Sequence, residues 1–241
     1  HDFNASSRAW FLGNSLQELG NNWKKMGSRL IMEEGDPVLI IPQLAKKIDA
    51  KFVFWNRSIE PYEINRDLQI KKNLKEQNIQ VIETWDHLLV EPLKIFSGNN
   101  NPYSVYGPFY KNLKSKMNLL GSYEQDKVVF QFKDIDNKLK DKTINSSDSV
   151  LEKFIKNIKF PGSNICPCRP GENAAETLLE NFINEKKIYS YNSARDFPSH
   201  NGTSFLSASL RFGTISIRKV WNATLNLNSD FANQENYLSI E

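Results

Sequence analysis

The sequence predicts an α/β fold: a Rossmann-like parallel sheet with flanking helices, then a long linker, then the start of an all-helical domain. Three observations predict it. Short apolar runs alternate with amphipathic helix signals over residues 1–95, the order that a parallel sheet wrapped by helices requires. Polar and turn-forming residues dominate the stretch that follows, 96–170. From Glu172 the helical period returns with capping residues and no strand signal, so 171–241 is expected to be all-α.

The elements follow in order. Leu12, Leu16, Leu19, Trp23 and Met26 recur at spacings of four, three, four and three, one stripe of a helix over 7–26. Gly27 stands where a left-handed residue ends a helix. Arg29 to Met32 reads as a short buried strand. Asp36 is placed to N-cap the next helix with Pro37 at its first position, and Val38, Ile41, Ala45 and Ile48 form its inward face. Lys51 to Trp55 is nearly continuous in apolar residues, as a parallel strand buried on both faces should be. Ile64 to Gln77 is a third helix and Ile79 to Ile82 a third strand. A helix with no strand before it opens the chain, so the first strand of the sheet is expected to lie outside residues 1–241. Ser97 to Pro102 is turn-rich and Lys138 to Ser149 is polar without a period, so an irregular connection is expected there. Ala175, Leu178, Leu179, Phe182 and Ile183 then mark a helix. Ser207 is placed to cap a short helix ended by Gly213, and Ser216 to cap another carrying Ile217, Val220 and Trp221.

Composition narrows the class. A chain that is 39% hydrophobic and 12% aromatic carries more than a disordered one, so a packed core is expected. No apolar run approaches the roughly 18 residues of a membrane span, and the first residues lack the pattern of a signal peptide. A cytoplasmic protein without a membrane partner is expected. The net charge of +3 permits polyanion binding without indicating it, because Lys71, Lys72, Lys111, Lys114, Lys116, Lys138, Lys140 and Lys142 are spread along the chain. Cys166 and Cys168 have no second pair to complete a metal site, and a disulfide across one residue is strained. Reduced thiols are expected, and no metal ligands. The sequons at Asn4, Asn56, Asn145, Asn201 and Asn222 are read as coincidence. An unrelated nucleotide-binding α/β domain is weakened as a reading, since no glycine-rich phosphate loop follows any strand.

The sharpest local feature is Thr203-Ser204-Phe205-Leu206-Ser207. Three hydroxyls in five residues, leading into a helix, supply O–H donors and unpaired backbone N–H groups to one point, which suits a phosphate. Simple helix capping needs only one of them.

Tyr191-x-x-x-Arg195-Asp196-x-Pro198, Gly202-Thr203-Ser204-x-Leu206-Ser207 and Leu210-x-Phe212-Gly213-x-x-Ser216-x-Arg218-x-Val220-Trp221 together resemble the beginning of the flavin domain of DNA photolyases and cryptochromes. Upstream, Arg8-x-Trp10-Phe11-Leu12, Gly35-Asp36-Pro37, Trp55-Asn56-Arg57-x-x-Glu60-Pro61-Tyr62, Tyr103-x-Val105-Tyr106-x-Pro108-Phe109 and Pro170-Gly171-Glu172 resemble the same family, in its order. The resemblance implies an antenna-type α/β domain over 1–95, a linker over 96–170 and the beginning of a helical FAD-binding domain over 171–241. It implies FAD contacts from Tyr191, Thr203, Ser204, Phe205, Leu206 and Ser207. Phe205 stands where the family commonly has Arg. Tyr62 and Glu63 align with polar contacts to a folate antenna, or form an ordinary helix-start loop. The implied antenna is methenyltetrahydrofolate or 8-hydroxydeazaflavin. The implied activity is light-driven repair of cyclobutane pyrimidine dimers in UV-damaged DNA by a monomer, with a cryptochrome-type photoreceptor as the alternative. Segments that the family places before His1 and after Glu241 carry its first strand and most of its flavin pocket. No catalytic residue is therefore expected within 1–241, and this stretch alone is not expected to retain FAD stoichiometrically.

Overall fold

The computed structural model describes residues 7–120, 147–157 and 168–225. Asn4, Asn145, Lys138, Lys140, Lys142 and Cys166 lie outside them. The elements are α1 (Ser7–Lys25), α2 (Pro37–Lys47), β1 (Phe52–Asn56), α3 (Pro61–Glu76), β2 (Gln80–Thr84), a 3-10 turn (Pro92–Lys94), α4 (Tyr106–Leu120), α5 (Ser147–Asn157), α6 (Glu172–Asn184), α7 (Lys187–Ala194), α8 (Ser207–Phe212) and α9 (Ile217–Leu225).

β1 and β2 pair in parallel, Phe52 opposite Gln80 through Asn56 opposite Thr84, with α3 as the crossover. Ala45 of α2, Ile70 and Leu74 of α3 and Ile79 form a buried cluster against Val53, Trp55 and Val81. Burying Ile70 and Leu74 stabilises the layer by about 1.5–3 kcal/mol each. Among the described residues only this face of the sheet is covered. Phe52, Phe54 and Ile82 point the other way and stay exposed at 47, 66 and 38%. The apolar run therefore reflects strand propensity and one buried face, not the two expected. Residues 28–34 form no strand, because a strand exists only by pairing and the sheet described here contains β1 and β2 alone.

α2 starts as its sequence dictates: the Asp36 carboxylate accepts from Val38 N at 2.9 Å, and Pro37 occupies the first turn. Pro42 lies inside the same helix and has no N–H for the Val38 carbonyl four residues back. Asn73 of α3 supplies the missing donor, its Nδ2 reaching Val38 O at 3.2 Å. Gly27 and Gly213 close α1 and α8 with φ of 81 and 70°.

The stripe that the apolar residues of α1 suggest is half-buried at Leu12, Leu16, Leu19 and Trp23, and is not the most buried face of the helix. Its buried residues are Ala9, Phe11, Gly13 and Ser15, while Met26 is 45% exposed. The helix packs along α5 and α6, and Phe11 stacks on Phe212 of α8 at 5.2 Å. The connection expected to be irregular holds two helices, α4 and α5. The local periods there are short and the intervening polar residues hid them.

Candidate functional site

The hydroxyl segment 203–207 lies between α7 and α8 and is fixed from both sides. Gly202 is buried, and a Cβ on it would come within 2.3 Å of the Ala194 Cβ at the end of α7. Only glycine allows that close approach. Leu206, 3% exposed, enters a cluster with Ala175 and Leu179 of α6, Ile215, and Val220 of α9. These two contacts leave Thr203, Ser204 and Phe205 half-buried and Ser207 exposed.

The local backbone is unusual. Phe205 has φ 54°, and Leu206 follows at φ −83°, ψ −4°. A left-handed residue followed by a right-handed one turns successive N–H groups toward one side, the concavity in which anions sit. A phenylalanine held left-handed costs on the order of 1–2 kcal/mol. Ser207 is the first residue of α8 and not its cap. Leu206 takes the cap position, and Ser204 Oγ accepts from Leu206 N at 3.4 Å, a long bond. Thr203 and Ser207 hydroxyls make no hydrogen bond among the described residues and are available to a ligand. α8 spans six residues, so the hydroxyls and the backbone concavity matter more here than its dipole. Inside the helix, the buried Ser209 Oγ has no partner among the described residues. The next helix is capped as its sequence predicts, Ser216 Oγ accepting from Arg218 N at 3.2 Å.

Tyr191 of α7 is half-buried, edge-on to Phe182 at 6.3 Å, with the Arg195 guanidinium 5.8 Å from its ring centre. The structure thus brings Tyr191 onto the helix against which Gly202 packs. Tyr62 and Glu63 are elsewhere, in the first turn of α3. Tyr62 is 79% exposed, and Glu63 accepts from Ser58 Oγ.

Near them is a cavity of about 350 Å³ lined by Arg57, Ser58, Ile64, Asp67 and Trp85 among others, though by neither Tyr62 nor Glu63. Arg57 and Trp85 follow the carboxyl ends of β1 and β2, the position at which open α/β sheets bind ligands. The guanidinium sits 5.8 Å from the Trp85 ring centre and pairs with Glu91 at 3.3 Å. Arg57 falls within a matched motif but was given no role, and Trp85 falls in none; the rule that ligands gather at strand carboxyl ends would have singled out both.

The described residues thus form a parallel strand pair with a helical crossover, followed by helices around a hydroxyl-bearing turn. The sequence model described as DNA photolyase matches residues 1–131. The deoxyribodipyrimidine photo-lyase of a Synechococcus strain is 38% identical over 222 residues, which is 91% of this chain and 44% of that protein. Cryptochrome-1 of Arabidopsis thaliana is 28% identical over 94% of this chain and 32% of its own length. A solved bacterial class III photolyase from Agrobacterium tumefaciens superposes with a TM-score of 0.66 at 27% identity, covering 94% of this chain and 46% of its own. This chain belongs to the DNA photolyase family. It spans less than half the length of these relatives.

Proposed function

We propose that the full-length protein containing this chain repairs cyclobutane pyrimidine dimers in UV-damaged DNA, driven by light absorbed by reduced FAD. The observation that carries the reading is the 38% identity to a deoxyribodipyrimidine photo-lyase across 91% of the chain. When bound and reduced, the flavin supplies the excited electron that splits the dimer. The residues of this chain do the holding. Thr203, Ser204 and Ser207 offer hydroxyls to the FAD phosphates, and the backbone at Phe205 and Leu206 offers N–H groups to the same anion. Tyr191 borders the flavin side of that turn. The cavity at the carboxyl ends of β1 and β2 would hold an antenna chromophore, a folate or a deazaflavin, with Ile64 and Trp85 among its lining residues and Tyr62 and Glu63 in the adjacent first turn of α3. The lesion has to leave the base stack to reach the flavin. The enzyme acts as a monomer in the cytoplasm. Among the described residues no helix is long and apolar enough to cross a membrane.

The test is dimer content in UV-irradiated DNA before and after blue illumination of the reduced full-length protein. Dimers disappear in light and persist in the dark. Persistence of dimers in light, with flavin and DNA bound, moves the protein to the photoreceptor class.

A further inference from the structure

The two helices packed against Leu206, α6 and α9, have their N-termini held by side chains far away in sequence. Gly171 precedes α6 and has no side chain with which to cap it. Ser15 and Glu18 of α1 do so instead. Ser15 Oγ accepts from Gly171 N at 3.1 Å, and Glu18 Oε1 from Asn173 N at 3.0 Å. Gly171 has φ 99°, and a Cβ there would lie 2.0 Å from Glu18 Oε2, so the glycine makes the cap possible. Asn22 adds a bond from its Nδ2 to Glu172 at 3.4 Å.

At α9 the arrangement repeats. Asp86, just past β2, accepts from Ser216 Oγ at 3.2 Å and from the Arg218 guanidinium, which also donates to Trp85 O at 2.8 Å. A carboxylate near a helix N-terminus is favoured by the helix dipole. Both helices therefore carry an acidic partner more than 120 residues away in sequence. Between the two clamps, Leu206 is locked into the cluster formed by α6 and α9.

We infer that Ser15, Glu18 and Asp86 are positioning residues for the flavin. They touch no part of the hydroxyl segment, but they fix the two helices whose packing sets where Thr203, Ser204 and Ser207 present their hydroxyls. The inference rests on the flavin reading above. Removing either carboxylate lets its helix shift, and a phosphate held by several short hydrogen bonds is sensitive to such a shift.

The experiment uses the full-length protein, stripped of flavin and titrated with FAD, with the visible circular dichroism of the bound flavin recorded at saturation. Glu18→Ala and Asp86→Ala are each expected to weaken FAD binding about fivefold to tenfold and to change the dichroism of the flavin. A role limited to stability would lower the melting temperature and leave the saturated flavin spectrum unmoved. Arg218→Lys keeps the charge but cannot span both Trp85 O and Asp86, and decides the case should Asp86→Ala fail to fold. Affinity within about twofold of wild type, with an unchanged flavin spectrum, overturns the inference. A wild-type protein that binds no FAD overturns the flavin reading and the inference together. Normal wild-type binding with unmoved variants overturns the inference alone.

Discussion

Ser204 and Ser207 differ in what they touch. Ser204 Oγ is half-engaged by the Leu206 amide, at a distance too long for a strong bond, whereas Ser207 has an exposed hydroxyl and no partner among the described residues. Capping alone would need only Ser204. A phosphate ligand gives both a role, and the left-handed Phe205 gives the backbone one as well. In the full-length protein, the double substitution Ser204→Ala and Ser207→Ala is expected to weaken FAD binding, each lost hydroxyl–phosphate bond contributing about 1.5–3 kcal/mol. Flavin content after gel filtration measures it. Unchanged content would leave these serines as caps.

Pro42 illustrates how an element is repaired by its neighbour. The proline frees the Val38 carbonyl, and Asn73 of α3 takes it, so a defect in one helix becomes a contact between two. Asn73→Ala is expected to cost about 1 kcal/mol with Pro42 present and close to nothing in a Pro42→Ala background, where the restored N–H returns to Val38. Denaturant midpoints of the four proteins close the cycle; equal costs in both backgrounds would remove this role. Sequence reading did well where period and cap coincide. α2, with Asp36 and Pro37, and α6, with Ala175, Leu179 and Phe182, stand where the residues predict. On α1 it found the helix and a half-buried stripe but not the most buried face, for a physical reason. The face that meets α6 and α8 includes Phe11, Ser15, Glu18 and Asn22, spaced by four, three and four, and three of those residues make their contacts by hydrogen bonding. A search for apolar stripes cannot see that face. The hydroxyl segment was legible as a phosphate-binding candidate. Its left-handed backbone was not, because nothing in Phe205 as a residue type favours that conformation.

At the scale of the whole molecule, α1 is continuous in sequence with the sheet layer but packs against α5, α6 and α8. We expect its cooperative unit to follow its packing. Amide hydrogen exchange should give α1 an opening free energy matching that of α6, and the amides of β1 and β2 a separate one. Exchange of α1 in step with the sheet would show that chain connectivity outweighs the caps at Ser15 and Glu18. The sheet itself has a different consequence. Both of its strands are edges among the described residues, and Phe52 and Phe54 stand exposed on the face that α2 and α3 leave open. Phe52 to Trp55 is short, strongly β-forming and free of proline, the type of segment that stacks into fibrils. Lys51 and Arg57 bracket it, and their repulsion between copies opposes such stacking. Salt is accordingly expected to favour lateral growth of aggregates from β1 by screening this repulsion, chiefly that of Lys51, since Arg57 is paired with Glu91; light scattering against ionic strength checks it.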